Sequence, residues 1–437
     1  MTIEKLYDRF LTCSIITTDT RLIKPSSLFF ALKGEHFDGN KFAAEAINKG
    51  CQWAVIDEPE YSVKDKTILV DDVLTSLQEL ANFHRKKLSI PIIAITGTNG
   101  KTTTKELTNT VLQTTYNVCA TKGNLNNHIG VPLTLLSINS THDVAIIEMG
   151  ANHIGEIELL CNIAEPDYGL ITNIGNAHIE GFGSYEGVIK AKNELYSYLI
   201  NNNKTIFQNS DDNTLCELTN QYKNIVHYGS GKESNISGKV INTFPHLAVV
   251  VNSPSGIFQE EKTISTKLIG SYNLTNILSA ISIGIEFKIP INRTIKAIEN
   301  WQPTNNRSQF VKKTPFNNQL LLDCYNANPT SMKAALANFS AIEYSRKILV
   351  LGEMLELGDQ SMFEHRKLIE LTRKINADKI MLIGKSFENI IPNNSSYSFF
   401  LSSKEALEHV KNKPINESLI LLKGSRRNRL EDIIPAL

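Results

Sequence analysis

No charge of either sign predominates in this chain: 45 lysines and arginines balance 45 aspartates and glutamates. A chain without a net field does not recruit nucleic acid or an anionic membrane, so neither is expected as a partner. Any phosphate ligand must instead be gripped by a local site. Cysteine is sparse, and the six residues (Cys13, Cys51, Cys119, Cys161, Cys216 and Cys324) include no C-x-x-C pair. That spacing argues against a zinc cluster or a disulfide framework and fits a reducing cytosol. No apolar run approaches the roughly 18 residues needed to cross a bilayer, so no membrane insertion is expected. The opening Met1-Thr2-Ile3-Glu4-Lys5 has no basic stretch leading into an apolar core. No secretory signal is read there, and a cytoplasmic location is the expectation.

What remains is a globular composition, 41% hydrophobic and 21% charged, spread over 437 residues. That length is too great for one ordinary core, so two or three domains are expected. The pattern divides into three blocks. Residues 1–87 read as mixed α/β, with short apolar strands at 27–32 and 53–56 and an amphipathic helix at 40–49 that Gly50 stops. The basic Arg85-Lys86-Lys87 ahead of Pro91 reads as a hinge. Residues 88–303 alternate apolar runs at 92–95, 144–147, 168–171 and 205–207 with helical stretches, the pattern of a parallel sheet of βαβ units. The Asn-, Ser- and Gly-rich 224–237 reads as a loop-rich insertion. Residues 304–437 carry strand candidates at 320–322, 348–351, 379–383 and 419–422 with helices between, a second doubly wound sheet.

One local feature carries chemistry directly. After the strand candidate at 92–95 comes Gly97-Thr98-Asn99-Gly100-Lys101-Thr102-Thr103, and a helix-compatible segment starts at Lys101. In a strand–loop–helix of this kind, loop N–H groups and the helix N-terminus cradle phosphates. Lys101 is placed to reach the outer phosphates of ATP, and the Thr102 hydroxyl to ligate Mg²⁺. The usual pattern has a glycine five residues before Gly100, where this chain has Ile95, so the loop is a shorter form. The D-x-x-G and N-K-x-D pairs of signalling GTPases are both missing.

Three further groups follow strands or adjoin them. Glu148 directly follows the strand candidate at 144–147 and reads either as a Mg²⁺ ligand or as a solvated carboxylate. His178 follows the strand near 168–172 and reads either as a site residue or as a satisfied polar one. Lys192, in Lys190-Ala191-Lys192-Asn193-Glu194, reads either as part of a site or as a surface lysine paired with a nearby glutamate. Their common placement after the phosphate loop favours the site readings, because open α/β sheets keep their chemistry at the C-terminal ends of strands.

Taken in order, the phosphate loop, Asn124-Leu125-Asn126-Asn127-His128-Ile129-Gly130-Val131-Pro132, Glu148-Met149-Gly150, Asn176-Ala177-His178 and Ala191-Lys192-Asn193-Glu194 resemble the Mur ligases of peptidoglycan synthesis. The resemblance runs from about Thr18 to the C-terminus. Within the family, three motifs resemble those of the ligase that adds D-alanyl-D-alanine to UDP-N-acetylmuramoyl-tripeptide. They are Asp323-Cys324-Tyr325-Asn326-Ala327-Asn328-Pro329-Thr330-Ser331, the run 351–358 with Glu353 in place of an aspartate, and Lys423-Gly424-Ser425-Arg426. The D-N-P-R and Y-A-H-T-P patterns of the sibling that adds the third residue are not found.

The resemblance implies an α/β fold of three domains. Residues 1–87 would form a mixed α/β UDP-substrate-binding domain, 88–303 a central parallel-sheet P-loop ATPase domain, and 304–437 a C-terminal Rossmann-like domain. It also implies roles. Thr20 and Arg21, with Asn126 and Asn127, would contact the UDP-linked substrate. Asn273, Asn276, Arg307 and Asp323 would join the loop on ATP, with Tyr272 standing where a histidine is common. Lys101, Glu148, His178 and Lys192 would be catalytic. Thr102, Glu148, His178 and Lys192 would be metal-side ligands, with Lys192 carbamylated. Glu353 to Gly358 and His365 are candidates for contact with the dipeptide. The partners implied are UDP-MurNAc-tripeptide and D-Ala-D-Ala, and the expected state is a monomer. The alternatives are another Mur ligase, above all the third-residue-adding one, folylpolyglutamate synthase more remotely, or a non-catalytic nucleotide-binding relative.

Overall fold

The computed structural model describes residues 1–176, 179–304 and 306–437. Among the described residues, three large sheets carry the architecture, beside a small antiparallel pair of Lys33–Gly34 with Phe37–Asp38. The first is four-stranded and all-parallel, in the order Ile15–Thr17, Ser27–Phe30, Cys51–Ile56, Thr67–Leu69. Ser27–Phe30 is buried on both faces, which is why it reads as a continuous apolar run and does not alternate. One face packs on the helix Ala43–Asn48, which a 3₁₀ turn, Gly39–Phe42, precedes.

The opposite face continues into the central domain. The helix Val73–Lys87 turns Leu77, Leu80 and Ala81 into a core shared with Ile92, Val131 and Leu160. The basic segment expected to be a hinge is the last turn of this helix, and Arg85 is buried within it. Its Nε donates to the Ala164 carbonyl at 2.9 Å and its Nη2 to the Glu165 carbonyl at 2.9 Å and the Asp167 carboxylate at 2.8 Å. A guanidinium has five fixed donors and suits this stitching of three acceptors.

The central sheet has nine strands, in the order Lys262–Ser265, Ala248–Asn252, Ile236–Asn242, Ile225–Gly229, Thr205–Asn209, Tyr168–Ile171, Ile92–Thr96, Val144–Glu148, Val118–Ala120. The seven from Val118–Ala120 to Ile236–Asn242 are parallel, and the last two pair antiparallel. The stretch 224–237, expected as a loop, thus contributes the strand Ile225–Gly229 and the start of Ile236–Asn242. Its polar composition misleads because the apolar Ile225, Val226 and Tyr228 are paired with Ile206, Phe207 and Asn209, and the turn residues occupy only the six positions between the two strands. From Ile92–Thr96 the chain winds first to one side and, after Val144–Glu148, to the other. Such a reversal opens a crevice at the carboxyl ends of these strands. Helix Leu274–Glu286 is apolar on nearly all sides and is buried from Asn276 to Gly284 between this sheet and helix Lys101–Leu112.

The third sheet runs Gln309–Val311, Gln319–Asp323, Leu419–Lys423, Lys347–Gly352, Lys379–Ile383, Tyr397–Phe400, parallel except for the first strand. Apolar clusters fill both of its faces. No helix among the described residues is long and apolar enough to cross a membrane.

Candidate active site

The phosphate loop lies where the sequence puts it, between strand Ile92–Thr96 and helix Lys101–Leu112. Gly100 caps that helix at φ +84°, a left-handed conformation that glycine adopts without the steric cost of a Cβ. A Cβ there would sit 2.7 Å from Asn276 Oδ1. The loop is fastened from below. Thr98 N donates to the Asn173 carbonyl at 3.0 Å, and the Asn99 carbonyl accepts from Thr172 Oγ1 at 2.6 Å and Asn173 Nδ2 at 2.9 Å. Lys101 curls back, its Nζ 2.7 Å from the Gly97 carbonyl and 3.2 Å from that of Thr98. Burial lowers the pKa of Lys101; the Glu148 charge opposes that effect and Arg307 adds to it.

Glu148 ends its strand 2% exposed, beside the loop. Its Oε1 accepts from Asn126 Nδ2 at 2.9 Å and from Thr102 Oγ1 at 3.3 Å. Its Oε2 is buried and has no hydrogen-bond partner among the described residues; the nearest cation among them, Lys105 Nζ, stands 4.0 Å away. A buried carboxylate oxygen left open next to a threonine hydroxyl fits a small hard cation that takes its remaining ligands from phosphate and water.

The wall opposite comes from the C-terminal domain. Asp323 ends one strand and Lys423 the neighbouring one, as register partners, and their side chains meet at 2.8 Å. Lys423 is 1% exposed, so this lysine is held in the interior by its carboxylate partner. The Arg307 guanidinium lies 3.5 Å from the centroid of the Tyr325 ring, a cation–π stack. A third wall is amide-rich: Thr104 Oγ1 holds Asn276 at 3.0 Å, Asn276 Nδ2 reaches Asn273 at 2.8 Å, and Asn273 Nδ2 reaches the Ile269 carbonyl at 2.8 Å. Together the three walls enclose about 550 Å³, lined by Thr98 to Thr103, Asn126, Asn127, Glu148, Tyr272, Asn273, Asn276, Arg307 and Asp323.

Family profiles cover most of the chain. The Mur ligase family catalytic domain matches residues 12–85, the Mur ligase middle domain 95–284, and the Mur ligase glutamate ligase domain 306–426. The UDP-N-acetylmuramoyl-tripeptide–D-alanyl-D-alanine ligase of Bacillus subtilis is 35% identical over 435 residues, covering 97% of this chain and 92% of its own. The chain belongs to the Mur ligase family. The ligase of the same description from Buchnera aphidicola is 34% identical over 97% of this chain and 92% of its own. A crystal structure of MurF from Acinetobacter baumannii superposes with a TM-score of 0.87 at 28% identity, covering 99% of this chain and 97% of that one. The three-domain Mur ligase fold is therefore present throughout.

Not every expected Mur ligase residue stands in this cavity. Lys192 is 2% exposed on helix Tyr185–Asn201 and is not among the residues that line the cavity. Burial, reinforced by the Lys101 charge, pushes its amine down to about 7. His178 lies outside the described residues. Thr20 and Arg21 belong to a short 3₁₀ turn in the N-terminal domain, outside the cavity lining, with Asp19 clamping the exposed Arg21 guanidinium at 2.6 Å. Asn127 Oδ1 accepts from Ile129 N and Gly130 N, bracing the start of helix Gly130–Leu136.

The candidate dipeptide contact His365 is corrected by the structure. It is fully buried, accepts from Met354 N at Nε2 (3.0 Å) and donates from Nδ1 to the Ser361 carbonyl (2.7 Å). Both nitrogens are spent, Nε2 on the backbone of the 353–358 loop and Nδ1 on the first turn of its own helix, so none is left for a substrate. Sequence reasoning gave no role to Lys423, Tyr325, Asn328 or Thr330, although all four stand in motifs it singled out. Pairing each with its partner needs sheet register or domain contact, which a motif does not encode.

Proposed function

We propose that this chain joins D-alanyl-D-alanine to UDP-N-acetylmuramoyl-tripeptide at the expense of ATP, in cytoplasmic peptidoglycan precursor synthesis. The observation that carries the reading is the shared cavity, in which a phosphate loop from one domain faces Asp323, Lys423 and the Arg307–Tyr325 stack from another. Amide formation in water needs the carboxylate oxygen converted into a leaving group. Transfer of the γ-phosphoryl group of ATP to the tripeptide carboxylate does this, and the dipeptide amine then displaces phosphate from the acyl carbon.

Lys101 would turn from the loop carbonyls to the transferring phosphoryl group, where negative charge accumulates. Arg307 and the Asn273–Asn276 pair would hold the nucleotide in place. Thr102 and Glu148 would hold Mg²⁺, with Asn126 fixing the orientation of the carboxylate. Bound there, the metal would supply charge neutralisation between the phosphates. Lys192 is suited to carbamylation because burial favours its neutral amine. That amine takes up CO₂ with loss of a proton and becomes an oxygen-donor anion. By the family resemblance, His178 would complete the metal-side set.

The test is phosphate release from ATP in the presence of UDP-MurNAc-tripeptide or, separately, UDP-MurNAc-dipeptide, with D-Ala-D-Ala or single amino acids as acceptor. Release with D-Ala-D-Ala is the expected result. Release only with a single amino acid on the UDP-MurNAc-dipeptide would move the assignment to the third-residue-adding ligase. No release with any pair would leave a non-catalytic nucleotide binder.

A further inference from the structure

Asn99 sits in the middle of the phosphate loop with both backbone groups tied to the central domain: its N–H donates to Asn173 Oδ1 at 3.0 Å, and its carbonyl accepts as described above. Its side chain is turned the other way, onto Asn328 of the C-terminal domain. The two amides pair reciprocally, Asn328 Nδ2 donating to Asn99 Oδ1 at 2.8 Å and Asn99 Nδ2 to Asn328 Oδ1 at 3.4 Å. Asn328 is pinned as well. It is the N-cap of helix Pro329–Ser340, where its Oδ1 accepts from Ser331 N at 2.9 Å in a full capping box.

A second contact lies alongside. Asn176 N donates to Thr330 Oγ1 at 3.1 Å, and Gly175 faces the same hydroxyl so closely that a Cβ would lie 2.8 Å from it. The helix that these contacts hold contributes Thr330, Ser331 and Ala334 to the cavity wall.

We propose that Asn328 is a positioning residue that couples the phosphate loop to the seating of the C-terminal domain. An amide pair fixed at both ends transmits displacement: a shift of the loop at Asn99 moves the first turn of helix Pro329–Ser340, and with it the wall that keeps water from the activated carboxylate. The inference rests on the ligase reading for its chemical consequence, though not for the mechanical one.

Asn328→Ser is the informative substitution, because serine preserves the helix cap while falling short of Asn99. The melting temperature should stay near that of the parent, and the affinity for a non-hydrolysable ATP analogue should fall by no more than the loss in closure, under about tenfold. Ligation kcat should fall roughly tenfold, the factor that one net hydrogen bond of this kind represents. Phosphate released per amide formed should rise above one. In small-angle scattering with the ATP analogue alone, the variant should be less compact than the parent. The double variant with Asn99→Ala should be no worse than the worse single one, since both remove the same contact.

An unchanged kcat and phosphate ratio, or fully additive effects, would overturn the coupling. A fall in melting temperature with an unchanged ratio would also overturn it, leaving Asn328 as a helix cap alone. Because compaction with the analogue needs no acceptor, a preparation that compacts yet ligates nothing would refute the ligase reading and leave the coupling intact.

Discussion

Replacing Gly100 by alanine tests whether the phosphate loop depends on its local geometry. The backbone there is left-handed at φ +84°, which costs a residue with a Cβ about 1–2 kcal/mol. The Cβ would also meet Asn276 Oδ1 at 2.7 Å and Cγ at 3.3 Å. Asn276 cannot retreat freely, since it is 6% exposed and bonded to both Thr104 and Asn273. Displacing it would break two buried hydrogen bonds, at about 1 kcal/mol each.

The total is about 3–4 kcal/mol. It falls on the unfolding free energy if the loop keeps its shape. If the loop flips to relieve the contact, it falls on nucleotide affinity, where about 3 kcal/mol is a loss of over 100-fold. Urea unfolding and calorimetric titration with ATP, summed, should recover the figure. Gly256→Ala is the control: the residue has φ +77° and no heavy atom of the described residues within 4 Å of the added Cβ, so only the backbone part, about 1–2 kcal/mol, should be lost. Equal losses at Gly100 and Gly256, or an ATP affinity and stability within experimental error of the parent for Gly100→Ala, would refute the reasoning.

Lys192→Ala should lower kcat roughly 100-fold while ATP affinity stays within a few-fold, and short carboxylates such as acetate should restore part of the rate; full activity without them would exclude the metal-side role. Arg85→Met should lower the unfolding free energy by about 2–3 kcal/mol, read from urea midpoints, since the Ala164 and Glu165 carbonyls lose their donor while Asp167 keeps Lys204 at 2.6 Å. The ATP KM of the folded fraction should not change. Burial holds His365 below its ordinary 6.5, so the unfolded chain takes up its proton first as pH falls, and stability should decline on going below about pH 6.5. His365→Gln should flatten that decline by up to about 1.4 kcal/mol per pH unit; an unaltered slope in pH-dependent unfolding would count against the assignment.

Much of this molecule was legible from its residues in order. The phosphate loop, the strand before it and the helix after it are contiguous, so spacing alone specifies them. Buried parallel strands such as Ile92–Thr96 are apolar at each position but the last and are recognisable without their neighbours. The misreadings have a common cause. Polar composition at 224–237 concealed two strands whose apolar residues find partners across the sheet, and three basic residues at 85–87 concealed a buried arginine.

Residue type and short spacing are enough to specify the sheet-forming runs, the loop chemistry and the family. That Lys423 answers Asp323 across a strand register 100 residues apart in sequence follows from the folded arrangement and not from spacing. The same arrangement decides that Asn99 answers Asn328, that Glu148 keeps an open oxygen beside Thr102, and that His365 faces inward. These pairings depend on which strands adjoin and how two domains meet, and burial then fixes which polar groups must find each other.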